Sequence, residues 1–187
     1  MQTTANETTV NGIDVEGLRG AAAAIAADPR EGAVSFDVAT TWKGGTRSET
    51  HVRGYGIGGR AVAREFRFAS DEPHELFGGN TAPNPQEYLM GALCACMTVG
   101  YVAGAALRGI RLDGLEIRCS GALDLRGFLG IDPEVAPGYE TLRVSVRIRG
   151  DATPEQFEEI HAAVRATSPN FFNLSRPIAI EDELIVG

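Results

Sequence analysis

The chain has 187 residues, 43% hydrophobic and 22% charged, which is enough to bury one core and suits a single domain over residues 1–187. A formal net charge of −8 and a pI near 4.9 argue against binding nucleic acid or an anionic membrane through a broad basic surface, because counterion release requires Lys and Arg. Three cysteines without paired spacing make no disulfide framework, and the N-terminal MQTTANETTV lacks the basic and apolar regions of a secretory leader, so a reducing cytoplasm is expected.

Residues 1–11 are polar and read as a loose N-terminal arm. Asp14 is placed to cap a short helix over 15–27, in which Val15, Leu18, Ala22 and Ile25 share one side. From Val34 the period changes to two. Val34, Phe36, Val38, Thr40 and Trp42 point one way, Lys43-Gly44-Gly45 turns the chain, and a polar second strand follows over 46–54. A third strand is expected over 60–69, with Phe66 and Phe68 on one face, closed by Ser70-Asp71-Glu72-Pro73. The next stretch, HELFGGNTAPNP at 74–85, contains Gly78-Gly79 and two prolines, which oppose regular structure while keeping the loop stiff enough to line a pocket.

Residues 84–109 are the most apolar part of the chain, with no charge from Tyr88 to Leu107 and two of the three cysteines. Asn84 as N-cap, Pro85 at the first helical position and Glu87 three after the cap predict a helix start. Gly109 supplies the stop. An uncharged segment of about 20 residues also meets the threshold for a membrane-spanning helix. Richness in Ala and Gly, isolation in the chain and the lack of a one-sided basic flank favour instead a helix buried at the centre of a soluble protein, with no membrane partner.

Beyond it, Leu115, Ile117, Cys119, Leu123 and Leu125 alternate with polar residues and predict a half-buried strand with Cys119 inward. Residues 127–138 read as loop. Leu142, Val144, Val146 and Ile148 give the clearest strand of the chain. Thr153, Pro154 and Gln156 open a helix that ends near Thr167, with Phe157, Ile160, His161 and Val164 on one face. NFFNLS after Ser168-Pro169 suits one helical turn, and 178–186 reads as a last strand.

Two stretches, GGNTAPNPQEYLMGALCAC and SPNFFNLSRPI, resemble the family of osmotically inducible protein C and the organic hydroperoxide resistance proteins, and the resemblance extends over nearly the whole chain. It implies an α+β fold with antiparallel sheets from two intertwined subunits around a long central buried helix, hence a homodimer. It also implies reduction of organic hydroperoxides by a peroxidatic cysteine, which a resolving cysteine captures as a disulfide and a dithiol reductant restores, with no cofactor. The peroxidatic counterpart is Cys96. The counterpart of the resolving cysteine, before Pro169, is Ser168, so this is an atypical member that cannot form that disulfide. The glutamate expected after Asn84-Pro85 is Gln86, with Glu87 one place later.

Cys96 lies about three turns into the helix, beyond the reach of the macrodipole, so a thiolate there needs a nearby cation. The resemblance implies an arginine from the early strands. Arg47 is favoured over Arg53. The competing reading of Cys96 is a small buried hydrophobe. Glu87 fits the capping box, whereas Gln86 lies about 80° from Cys96 around the helix and could orient a hydroperoxide as a neutral hydrogen-bond partner. Glu87 and Phe171 complete the candidate substrate-binding residues. Cys94 points about 200° away from Cys96, which opposes a disulfide between them, and reads as a packing residue. Cys119 reads as buried filler and His161 as a core histidine. His51 and His74 are isolated, and no metal is expected.

Two classes of function follow. One is an enzyme, a one-cysteine thiol peroxidase resolved by external thiol. The other is a non-catalytic protein that keeps an apolar pocket at the dimer interface for binding a small molecule, or that senses oxidant through Cys96. The expected partners are a second copy, an organic hydroperoxide or other apolar small molecule, and a dithiol.

Overall fold

The structure, a computed structural model, describes residues 9–187. They fall into two compact units, one ending at Leu89 and the other running from Met90 to Gly187. The loose arm expected over 1–11 falls mostly on residues 1–8, which lie outside the described residues. From Thr9 the chain is paired rather than loose, because β1 (Thr9–Val10) lies antiparallel to β2 (Ile13–Asp14).

In the first unit, β1 and β2 are joined through Asn11 and Gly12, both at positive φ (53° and 79°). Helix α1 (Val15–Ala27) starts where its cap predicts, with Asp14 Oδ1 accepting the Gly17 N–H at 3.0 Å. Of its expected apolar face only Val15 is buried, and Ile25 is 43% exposed. After a 3-10 turn (Pro29–Gly32) the expected first strand divides into β3 (Val34–Phe36) and β4 (Ala39–Trp42). Both pair antiparallel with β5 (Ser48–Ile57), and β6 (Arg60–Ser70) covers the other edge of β5. The break has a register cause. Phe36 pairs with Tyr55 and Ala39 with His51, so residues 52–54 of β5 stand opposite only 37 and 38. The β5/β6 register shifts at the same place, between Val52 and Gly54.

The loop after β6 is built around Asp71, which is almost fully buried. Its carboxylate accepts from Thr46 Oγ1 at 2.6 Å, Thr81 Oγ1 at 2.7 Å, and the N–H groups of Glu72 at 2.9 Å and Thr81 at 3.1 Å. These hydrogen bonds, the Thr46 hydroxyl foremost, hold the Asp71 carboxyl far below the usual carboxylate range. Gly78 is required here, since a Cβ would lie 1.9 Å from the Glu72 carbonyl oxygen. The long helix α2 (Pro85–Leu107) then begins as predicted: Asn84 Oδ1 accepts the Glu87 N–H at 2.9 Å and Glu87 Oε2 accepts the Asn84 N–H at 2.8 Å. Gly109, at φ 72°, ends it.

In the second unit, β7 (Leu112–Ser120) pairs antiparallel with β8 (Arg143–Gly150). The expected strand through Leu123 and Leu125 stops at Ser120, and Leu125 instead opens a short helix α3 (Leu125–Phe128) capped by Asp124, which accepts the Arg126 N–H. Helix α4 (Pro154–Thr167) has the full capping box of Thr153 and Gln156, and α5 (Pro169–Ser175) follows directly. The last strand expected at 178–186 does not form among the described residues. Residues 176–187 have no strand partner among the described residues, and Ile180 and Leu184 are 85% and 86% exposed.

The core of this unit is a stripe of α2 at spacing four, Leu93, Met97, Tyr101 and Ala105, packed with Ile110, Ile160 and Val164. Inward residues of β7 and β8 close it, Cys119 among them. Full burial of a side chain such as Met97 or Ile160 stabilises by about 1.5–3 kcal/mol. Small residues let the helices approach: a Cβ on Gly100 would lie 3.1 Å from Val164 Cγ2. Among the described residues α2 is the one helix long and apolar enough to cross a membrane. Its buried stripe serves this core, while other faces, including Val99, remain open. The architecture is thus α+β, with antiparallel sheets and a long apolar helix.

Candidate functional site

Cys96 lies beside the buried stripe of α2, half-buried, and the α4–α5 junction meets it there. Ser168 closes α4, its N–H donating to the Val164 carbonyl at 2.8 Å, and opens α5, its Oγ accepting the Phe171 N–H at 3.4 Å. The same hydroxyl donates to Cys96 Sγ at 3.3 Å. Ser168 is only 5% exposed. A second link fastens α5 to α2, with Asn170 Nδ2 donating to the Ala92 carbonyl at 2.9 Å, one helical turn before Cys96. Cys96 and Ser168, the two positions that the family resemblance pairs, are therefore adjacent, although 72 positions apart in the chain.

Phe171 is half-buried against the core, and the Arg165 guanidinium lies 5.5 Å from its ring centroid. The Tyr101 hydroxyl and Nδ1 of the half-buried His161 share a hydrogen bond. Burial pushes the Tyr101 phenol up.

Burial pushes the Cys94 thiol up, and it pushes the Cys119 thiol up as well, with neighbouring Cys94 adding to the effect. Thiols held protonated in this way are poor nucleophiles. All three cysteines are free.

The remaining candidates belong to the first unit. Arg47 is exposed in the turn between β4 and β5, where its N–H donates to the Gly44 carbonyl at 3.1 Å. Arg53 donates through Nε to His51 Nδ1 at 3.2 Å and lines an open groove with Phe36 and Tyr55. Gln86 is half-buried in the first turn of α2. The Glu87 carboxylate is engaged by the helix cap. Among the described residues no group of His, Cys, Asp and Glu could hold a metal ion.

Sequence reasoning missed Asn170 and Asp71. Asn170 carries no signal beyond a polar residue after a proline. Asp71 reads as an ordinary turn residue, because its partners are spread from Thr46 to Thr81.

Several solved structures resemble the chain. A Psychrobacter arcticus 273-4 protein ascribed to the osmotic stress and detoxification response is 13% identical, with 72% of this chain and 85% of that chain covered and a TM-score of 0.55. An OsmC-like protein from Mycoplasma pneumoniae is 16% identical (75% and 87% covered, TM-score 0.53). An OsmC-like protein of unknown function from Vibrio cholerae is 15% identical (74% and 92% covered, TM-score 0.53). At such identities the likeness shows the fold. No curated protein matches the sequence. The sequence profile of the OsmC-like protein matches residues 78–183, more than half of the chain, and takes in α2, Cys96 and the α4–α5 junction. The chain belongs to the OsmC-like protein family.

Proposed function

We propose that the protein reduces organic hydroperoxides through Cys96 alone, with external thiol in the place of a resolving cysteine. The observation that carries the reading is the contact between Ser168 and Cys96: a hydroxyl donor occupies the position from which a second thiol would attack. The Cys96 thiolate attacks one peroxide oxygen, forming an S–O bond as the O–O bond breaks. Sulfur loses two electrons, and the alkoxide leaves and takes a proton to become an alcohol. One external thiol condenses with the sulfenic acid, releasing water and leaving a mixed disulfide. A second external thiol attacks the outer sulfur of that mixed disulfide, releasing Cys96 as the thiolate and leaving joined to the first thiol as their disulfide.

In this reading an arginine of the early strands, Arg47 rather than Arg53, supplies the cation, Gln86 orients the peroxide and Phe171 forms apolar wall. The active form is a homodimer. Support comes from the apolar surface that one chain leaves open, including Phe36 and Trp42, 72% and 73% exposed, and from the unpaired C-terminal segment. A reducing cytoplasm would supply the thiol.

The test is intact-mass spectrometry after brief exposure to one equivalent of cumene hydroperoxide with a sulfenic-acid trap, on the protein and on Cys96→Ser. A fast adduct confined to Cys96 and removed by dithiol with turnover is the expected result. If Cys96 stays reduced, the peroxidase reading fails and the fold is a binding scaffold.

A further inference from the structure

Ser168 has one hydroxyl proton, and its surroundings decide where that proton goes. Oγ accepts the Phe171 N–H, so a lone pair is engaged on the α5 side, and the O–H is directed at Cys96 Sγ. The residue is pinned on both sides, since its N–H donates to Val164 and its carbonyl accepts the Phe172 N–H at 3.0 Å. Asn170 fastens the same junction to α2. The Oγ atom cannot swing away from the sulfur without giving up the cap of α5.

We propose that Ser168 is a positioning residue that aims a hydrogen-bond donor at Cys96 Sγ and so favours its anionic form over the neutral thiol, a donor standing where a disulfide partner would. A donor aimed at sulfur favours the anion over the neutral thiol, because a charged acceptor strengthens the bond. The inference rests on the preceding reading only in treating Cys96 as the nucleophile, and its test uses no peroxide.

The experiment is the pH profile of Cys96 alkylation by iodoacetamide, followed on the Cys96 peptide by mass spectrometry. The variants are Ser168→Ala, Ser168→Gly and Ser168→Thr. Glycine is the mildest replacement of a capping serine, so Ser168→Gly removes the hydroxyl with least harm to α5. Threonine keeps the hydroxyl. The expected result is a profile displaced to higher pH by about one unit in the Ala and Gly variants, with alkylation at neutral pH about tenfold slower, and restored in Ser168→Thr. Profiles of Ser168→Gly and the unaltered protein that coincide overturn the proposal and leave Ser168 a helix cap, as does a Ser168→Thr profile that follows Ser168→Gly. A displaced profile in a protein that ignores hydroperoxide sinks the peroxidase reading and keeps this one. Trapped sulfenic acid with coincident profiles does the reverse.

Discussion

Replacing Ser168 by cysteine should create the disulfide that the chain lacks. The Oγ–Sγ separation is 3.3 Å, and an S–S bond of about 2.05 Å needs about 1.2 Å of approach, part of it supplied by the longer Cβ–S bond and the rest by side-chain rotation. Ser168 sits at the junction of two helices, where its neighbours Pro169 and Asn170 limit backbone movement, so geometry is the quantity under test. Closure would tie residues 72 positions apart, for which chain entropy gives about 4.4 kcal/mol, and engineered bonds often deliver less, about 2–4. One equivalent of hydroperoxide should remove two hydrogens from Ser168→Cys by intact mass, and peptide mapping should place the link at positions 96 and 168. Urea unfolding of the oxidised and reduced forms should then differ by about 2–4 kcal/mol. Ser168→Cys combined with Cys96→Ser should show neither effect. If oxidant converts Cys96 to sulfenic acid while the introduced thiol stays free, the two positions do not face one another and the reasoning about Ser168 fails.

Two further outcomes test the frame around the site. Asp71→Asn should loosen the loop before α2, because every group that bonds the carboxylate is a donor and the amide would turn an NH₂ toward them. The sign with pH follows from the lowered carboxyl: its stabilisation is intact above the unfolded value of about 3.9 and fades as pH falls toward the folded value. Urea midpoints of the variant should therefore lie below those of the protein at neutral pH and converge with them in strong acid; parallel curves would refute the assignment. Ile160→Ala removes a fully buried side chain that packs over Gly104, where a Cβ would meet Ile160 Cγ2 at 3.4 Å. The expected loss is about 2–5 kcal/mol by urea unfolding, and a loss under about 1 kcal/mol would show that the helix contact can collapse.

What the sequence made legible was local. Asn84 with Glu87, and Thr153 with Gln156, name helix starts because a capping box lies within four residues and needs no tertiary contact. The alternation at 142–148 survives in β8 because one face packs on the core. The same alternation failed at 123–125, where Asp124 caps a turn of helix in competition with the strand. It failed again at 178–186, for a different reason: a strand is defined by a partner, and the described residues offer that segment none. Period two reports an apolar face, and it is silent on which molecule supplies the neighbouring edge. The candidate site divides along the same line. The identities of Cys96 and Ser168 could be read off two motifs, and the resemblance paired them. The direction of the hydroxyl could not be read, because it depends on the Phe171 N–H and on the Asn170 tether, neither of which leaves a pattern in sequence. A serine at that position is an absence when motifs are compared and a donor when hydrogen bonds are counted. On the proposed function, that difference separates a site that has lost its second step from one whose first step is held ready for a thiol from outside.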